Sequence, residues 1–201
     1  MIRLYLVTDR RLVPDLVSAV RAALSGLPPG VAAVQLREKD LDAKDLLDLA
    51  SRRLPICKAA EAPLLINDRL DVARAASADG VHLPSRGLPV AQARALLGPD
   101  RIVGISCHAP SEIAAAHRDG ADFALFGPVW DSPGKTARGV AALEQAVRAS
   151  SLPVLAIGGI APENAPRAME AGAAGVACIR AVLGAADPAA AARALYLATT
   201  A

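Results

Sequence analysis

Short apolar runs alternate with longer helix-period segments along the chain, and this alternation limits the possible folds more than any other feature. Eight runs occur: RLYLVTD (3–9), AAVQLRE (32–38), PLLIND (63–68), GVHL (80–83), RIVGIS (101–106), DFALFGPV (122–129), PVLAIGG (153–159) and GVACI (175–179). Each is short, apolar and rich in leucine or β-branched residues, as a buried strand requires. Between them, over 13–25, 43–59, 70–76, 90–97, 111–118, 140–149, 162–171 and 188–197, apolar residues recur every three or four positions. Strands and helices in strict alternation build a parallel sheet with helices outside it.

Helix-boundary residues agree with these spans. Ser111 with Glu112 precedes an alanine run, Pro162 stands at an expected first turn, Asp187 precedes Pro188, and Gly120 and Gly172 follow helix ends. Three strands follow a similar phrase, in SADGVHL, DGADFALFG and AGAAGVACI, which suits a repeated βα unit. The 201 residues are near the lower limit for eight such units. The expected fold is therefore α/β, a single (β/α)8 TIM barrel forming one domain over 1–201. A doubly wound open sheet is the alternative, but no G-x-G-x-x-G follows the first run, and the glycine pair stands after the seventh.

Composition removes several function classes. Lys and Arg number 22 against 20 Asp and Glu, without a long run of like charge, so nucleic acid is not an expected partner. Five aromatic residues leave little for base stacking or a membrane-interface belt, and no segment has the ~20 apolar residues of a spanning helix. The start, MIRLYLVTDRR, places charges directly after a short apolar run and reads as neither signal nor transit peptide. Cys57, Cys107 and Cys178 are odd in number and far apart, which points to reduced, buried thiols and a cytoplasmic location.

Reactive residues of a barrel stand where its strands end. Gln35, Arg37 and Lys39 alternate with Leu36 and Glu38 and so share one side of a strand. They either aim cations into a pocket or, with Glu38, close the strand as surface charges. Asn67 and Asp68 either cap the next helix or supply an amide and a Mg²⁺ ligand to a bound diphosphate. Gly158 and Gly159, after the seventh run, form either a tight turn or a phosphate cradle of backbone N–H groups, with Arg180 as an added cation. His82 reads as packing, His117 as inert, and His108, past the fifth run, as packing or a proton shuttle. Pro133 and Gly134 suggest that the Trp130–Lys135 loop combines mobility with rigidity.

The phrases VQLREKD, LLINDRLDVA, ADGVHLPS, GISCH, GADFALFGPVWDSPGK and PVLAIGGIAPENAPRAMEAGAAGVA together resemble the thiamine-phosphate synthase/TenI superfamily over nearly the whole chain. The resemblance implies that hydroxymethylpyrimidine diphosphate and hydroxyethylthiazole phosphate are joined to thiamine phosphate with release of pyrophosphate. It implies that Gln35, Arg37, Lys39, Asn67 and Lys135 hold the pyrimidine diphosphate, with Ser106 and Ser132 facing it and Asp68 on Mg²⁺. Gly158, Gly159, Ile179 and Arg180 would hold the thiazole phosphate. The partners implied are these small substrates, with neither nucleic acid nor membrane, and a homodimer is compatible with them. Two departures stand out. Gly87 replaces an expected second acidic Mg²⁺ ligand, and Ser132-Pro133-Gly134-Lys135 keeps the lysine but one hydroxyl of an expected pair. The Leu83-Pro84-Ser85 phrase is closer to the TenI branch, which tautomerises a carboxythiazole phosphate, with His108 moving the proton. A barrel that binds a thiamine precursor without turnover, and an unrelated sugar-phosphate isomerase, complete the alternatives.

Overall fold

A computed structural model of the chain describes residues 2–149 and 151–200; Met1, Ser150 and Ala201 of the expected domain lie outside them. The strands are β1 (Leu4–Val7), β2 (Ala32–Leu36), β3 (Leu64–Asn67), β4 (Gly80–Leu83), β5 (Ile102–Cys107), β6 (Phe123–Phe126), β7 (Val154–Ile157) and β8 (Gly175–Cys178). They pair in parallel and in chain order, and β1 pairs with both β2 and β8, so the sheet closes on itself. Closure excludes the open-sheet alternative and leaves no strand edge unpaired.

Outside the barrel lie α1 (Leu16–Ser25), α2 (Ala43–Ala59), α3 (Leu70–Ala75), α4 (Val90–Leu97), α5 (Pro110–Arg118), α6 (Val140–Arg148), α7 (Ala165–Glu170), α8 (Arg180–Leu183) and α9 (Pro188–Ala198). Three helix starts differ from those expected. Helix α1 opens at Leu16, not Val13, because the Asp15 carboxylate accepts from the Val17 N–H and caps it. The α5 start is held by Glu112, whose carboxylate accepts from the backbone N–H groups of His108 and Ala109; Ser111 does not serve as the cap. Pro162 does not begin α7, since the Asn164 amide bonds Ala161 N and Gly159 O and keeps that stretch in a turn. Helix α8 has four residues, too few for a periodic signal.

Period-two alternation divides the core into two shells. Leu6, Val34, Leu36, Ile66, Val81, Val103 and Phe126 face the helices. Tyr5, Val7, Ala33, Leu65, Phe123, Leu125, Leu155 and Ala177 fill the barrel interior. On the outside, Ala23, Ala50, Ala73, Ala93, Ala116, Ala146, Ala168 and Ala192 are all buried, one on each helix except α8. A methyl at each contact lets the helix backbone approach the sheet closely, which explains how an alanine-rich, aromatic-poor chain still packs a complete barrel.

Two polar groups are sealed into this frame. Glu38 is buried rather than a surface charge: it accepts the Thr8 hydroxyl at 2.6 Å and the Arg10 N–H at 3.0 Å, while Thr8 Oγ1 accepts the Arg37 N–H at 2.9 Å. The ends of β1 and β2 are locked together through it. His82 lies among Tyr5 and Phe123, with ring centroids 5.7 and 5.8 Å away. Burial, reinforced by the Arg37 charge, lowers its pKa from 6.5 to about 3.

Glu38→Ala strands two donors, the Thr8 hydroxyl and the Arg10 N–H, and is expected to cost about 2–3 kcal/mol in urea unfolding; a loss under 0.5 kcal/mol contradicts this role. For His82, the unfolded chain takes up a proton near pH 6.5 while the folded one stays neutral to about pH 3. Stability therefore falls as pH drops through that window, by up to about 1.4 kcal/mol per pH unit from this group. Urea unfolding of the wild type and His82→Leu at pH 7 and pH 5 should give the flatter pH response in the variant.

Candidate active site

A cavity of about 480 Å³ opens where the eight strands end. Val7, Leu125, Ile157 and Ala177 give it an apolar floor. Because Ala33 points inward on β2, Gln35 and Arg37 follow on the same side, and both line the cavity together with Lys39. Asn67, Ser106, His108, Ser132, Lys135, Gly158, Gly159, Ile179 and Arg180 line it as well. Every expected site residue except Asp68 is therefore on its wall.

Asp68 stands at the rim. Its backbone is left-handed, with φ 63°, and it does not cap α3, whose N-cap position is Arg69 without a side-chain bond. A methyl placed on Gly87 would lie 2.9 Å from Asp68 Oδ1, so the Pro84–Gly87 turn packs against this carboxylate. Lys39 reports how close the rim charges are. Its pKa is lowered chiefly by Arg37, then by partial burial and by Lys135, while Asp68 acts in the opposite direction. Three cations from two chain segments and one carboxylate thus share one electrostatic neighbourhood.

The loop carrying Lys135 is ordered by its own bonds. Lys135 N donates to Ser132 O at 2.8 Å, Asp131 Oδ1 accepts from Ala137 N at 2.8 Å, and Arg138 N donates to Pro128 O. These contacts weigh against the mobile element suggested by Pro133 and Gly134. Against this loop, Gly158 and Gly159 have φ of 96° and 63°. A Cβ at Gly158 would meet Pro128 at 2.3 Å and one at Gly159 would meet Trp130 at 2.6 Å. Only glycine combines this backbone with so close an approach to the loop after β6. Beside the pair, β8 runs directly into α8, so the backbone of Ile179–Ala181 lines the same wall.

His108 Nδ1 lies 2.7 Å from Gly127 O, an atom that can only accept. Nδ1 therefore donates to Gly127 O, and Nε2, the other ring nitrogen of this cavity-lining residue, makes no hydrogen bond among the described residues. His117 lies on α5, outside the cavity wall. Cys107 and Cys178 touch the cavity, yet burial pushes these thiols, like that of Cys57, up to about 12, which keeps them unreactive.

Sequence reasoning missed several participants. His82, read as packing, bonds Ser106 Oγ through Nε2 at 2.9 Å. It packs on Tyr5 inside the barrel and pairs with Asn67, a register that exists only once the sheet has formed. Asp9 and Asp131 also line the cavity. Asp9 is held by Arg11 through two bonds of 2.8 and 2.9 Å, which lower its pKa.

The profile of the thiamine monophosphate synthase family matches residues 4–182. A provisionally named thiamine-phosphate synthase of Geobacter sulfurreducens is 49% identical over 96% of this chain and 92% of that protein. Thiamine-phosphate synthase of Roseiflexus castenholzii is 44% identical over 95% of this chain and 85% of its own. Among solved structures, thiamine phosphate pyrophosphorylase from Pyrococcus furiosus superposes with a TM-score of 0.91 at 33% identity, covering 99% of this chain and 96% of that one. A 3-hexulose-6-phosphate synthase, at 22% identity and a TM-score of 0.70, shares the fold alone. Profile, relatives and superposition span nearly the whole barrel, and the chain belongs to the thiamine monophosphate synthase family.

Proposed function

We propose that this cavity joins hydroxymethylpyrimidine diphosphate to hydroxyethylthiazole phosphate, forming thiamine phosphate and pyrophosphate. The observation that carries the reading is the convergence of Arg37, Lys39 and Lys135 on one cavity, where Arg37 and Lys135 lower the proton affinity of Lys39. Cations held close together in the empty protein are poised for a ligand with several negative charges. Names of the relatives, at 44–49% identity, support the same transferase chemistry.

In this reaction the bond from the pyrimidine methylene to the diphosphate oxygen breaks, and the thiazole nitrogen forms the new bond to that carbon. Negative charge grows on the departing diphosphate, and groups fixed around it lower the barrier more than a base would. Arg37, Lys39 and Lys135 bind and stabilise that charge, and Asn67 and Ser132 donate to its oxygens. Gln35 and Ser106, on inward-facing positions below the cations, hold the pyrimidine. Opposite, the backbone at Gly158, Gly159 and Ile179–Arg180 takes the thiazole phosphate, which aims the ring nitrogen across the apolar floor.

A Mg²⁺ ion fits this donor set as a companion of the diphosphate. Among the described residues no three His, Cys, Asp or Glu side chains converge into a protein-only metal cage, and Gly87 provides no ligand beside Asp68. One carboxylate with phosphate oxygens and waters is a usual Mg²⁺ environment. Asp68 would hold the ion, which supplies further neutralisation of the diphosphate. A cytoplasmic setting belongs to this reading and is supported by the three unbridged thiols.

A second reading rests on His108, which lines the cavity with Nδ1 bonded to Gly127 O, and on Gly87, which offers no second acid beside Asp68. It is a thiazole tautomerase in which His108 transfers a ring proton.

With both substrates and Mg²⁺, the wild type should release pyrophosphate, and Lys135→Ala should reduce kcat by about 10²–10³. Asp68→Ala should raise the Mg²⁺ concentration needed for half-maximal rate. Absence of pyrophosphate from the wild type ends the synthase reading. Under the tautomerase reading, His108→Ala instead abolishes exchange of the thiazole-ring proton with no response to chelator, and a chelator-sensitive rate argues against it.

A further inference from the structure

Below the cavity wall, four side chains from four strands form one hydrogen-bonded chain through the barrel interior. Gln35 Nε2 lies 3.3 Å from Tyr5 Oη, Tyr5 Oη lies 3.4 Å from His82 Nδ1, and His82 Nε2 lies 2.9 Å from Ser106 Oγ. Tyr5 and His82 are buried, whereas Gln35 and Ser106 line the cavity. The barrel makes room for this arrangement. A Cβ on Gly104 would lie 2.4 Å from the Phe123 ring and 2.8 Å from His82 Nδ1, so the imidazole occupies space left by that glycine.

The polarity of the chain follows from what each atom can do. An amide nitrogen only donates, so Gln35 gives its N–H to Tyr5 Oη. Burial keeps the Tyr5 phenol protonated, and with its oxygen accepting from Gln35, its proton turns to His82 Nδ1. That nitrogen must accept, which places the single proton of the neutral ring on Nε2, and Nε2 donates to Ser106 Oγ. With its oxygen accepting from His82, the Ser106 hydroxyl is free to donate into the cavity that it lines. At the other end, with Nε2 engaged, Gln35 retains its carbonyl oxygen as a free acceptor. A donor at Ser106 and an acceptor at Gln35 complement an aminopyrimidine edge, which carries a ring-nitrogen acceptor next to an amino donor.

We propose that His82, with Tyr5 behind it, is a positioning residue for the pyrimidine substrate: it acts through Ser106, fixing that hydroxyl as a donor, and touches no substrate itself. Its identification with the pyrimidine rests on the synthase reading above. A protonated imidazole would donate at both nitrogens and reverse the bond to Tyr5, so a neutral ring, which burial enforces, is a requirement of the device.

The test is steady-state kinetics of the intact chain with both substrates, on His82→Leu, Tyr5→Phe, Ser106→Ala and the double variants that combine each of the first two with Ser106→Ala. His82→Leu and Ser106→Ala should each lower kcat/KM for the pyrimidine diphosphate at least tenfold. Tyr5→Phe, which keeps the ring and its packing, should lower it about threefold to tenfold, and the KM for the thiazole phosphate should stay within twofold throughout. On the Ser106→Ala background, neither His82→Leu nor Tyr5→Phe should reduce the rate by more than twofold further. If His82→Leu does not fold, the Tyr5→Phe cycle alone decides. Losses that multiply in the double variants, equal loss of thiazole affinity, or a Tyr5→Phe enzyme indistinguishable from wild type overturn the inference while leaving the synthase reading intact. A wild type that turns over neither substrate pair overturns the synthase reading and, with it, the pyrimidine assignment.

Discussion

Pairing of β1 with β8 is the constraint from which everything else follows. Leu4 opposite Val176 and Tyr5 opposite Ala177 fix the register at the seam, while Leu4 opposite Ala32 and Tyr5 opposite Ala33 fix it on the other side. Once the ring is closed, each strand's inward positions fall into layers, and residues far apart in sequence become neighbours at one level. Tyr5 with Gln35 and His82 with Ser106 are neighbours on adjacent strands, and the rolled sheet brings the two pairs together across the interior through Tyr5 and His82. Parallel strands also end together, so the polar stretch after each run arrives at a single face, where the cavity lies.

The closing force is apolar, but the chain applies it in an unusual way. With few aromatics, it seals the outer shell by bringing helices close on alanine and fills the inner one with branched side chains around Tyr5 and Phe123. Of the polar groups in this frame, Glu38 and His82 are bonded on every side, whereas buried Arg53 bonds only Leu49 O through Nη1 and leaves Nε and Nη2 without a partner. Glu38 is surrounded by donors, and His82 has partners at both nitrogens. Each fixes a neighbour at the cavity: Glu38 ties down the chain at Arg37 through Thr8, and His82 reaches Ser106.

Much of this could be read from the residues because strands and barrel ends obey short-range rules. Period two put Gln35, Arg37 and Lys39 on one side, and strand ends located Asn67, Ser106 and His108 at the cavity. The resemblance supplied roles that spacing cannot. What escaped was long-range. Glu38 looked like surface charge because its partners, Thr8 and Arg10, lie about thirty residues away. His82 looked like packing because Tyr5, Phe123 and Ser106 come from other strands, and the left-handed backbone at Asp68 carries no signal in the apolar pattern. Helix starts failed at α1 and α7, where Asp15 and Asn164 side chains override the apolar pattern.

The close placement of Arg37, Lys39 and Lys135 has a cost that no packing contact requires. None of the three belongs to either apolar shell, and Arg37 and Lys135 both lower the proton affinity of Lys39. Like charges gathered at one cavity oppose the folded state and favour an anion, so an arrangement suited to a multiply charged ligand is not the one that would best suit the barrel alone.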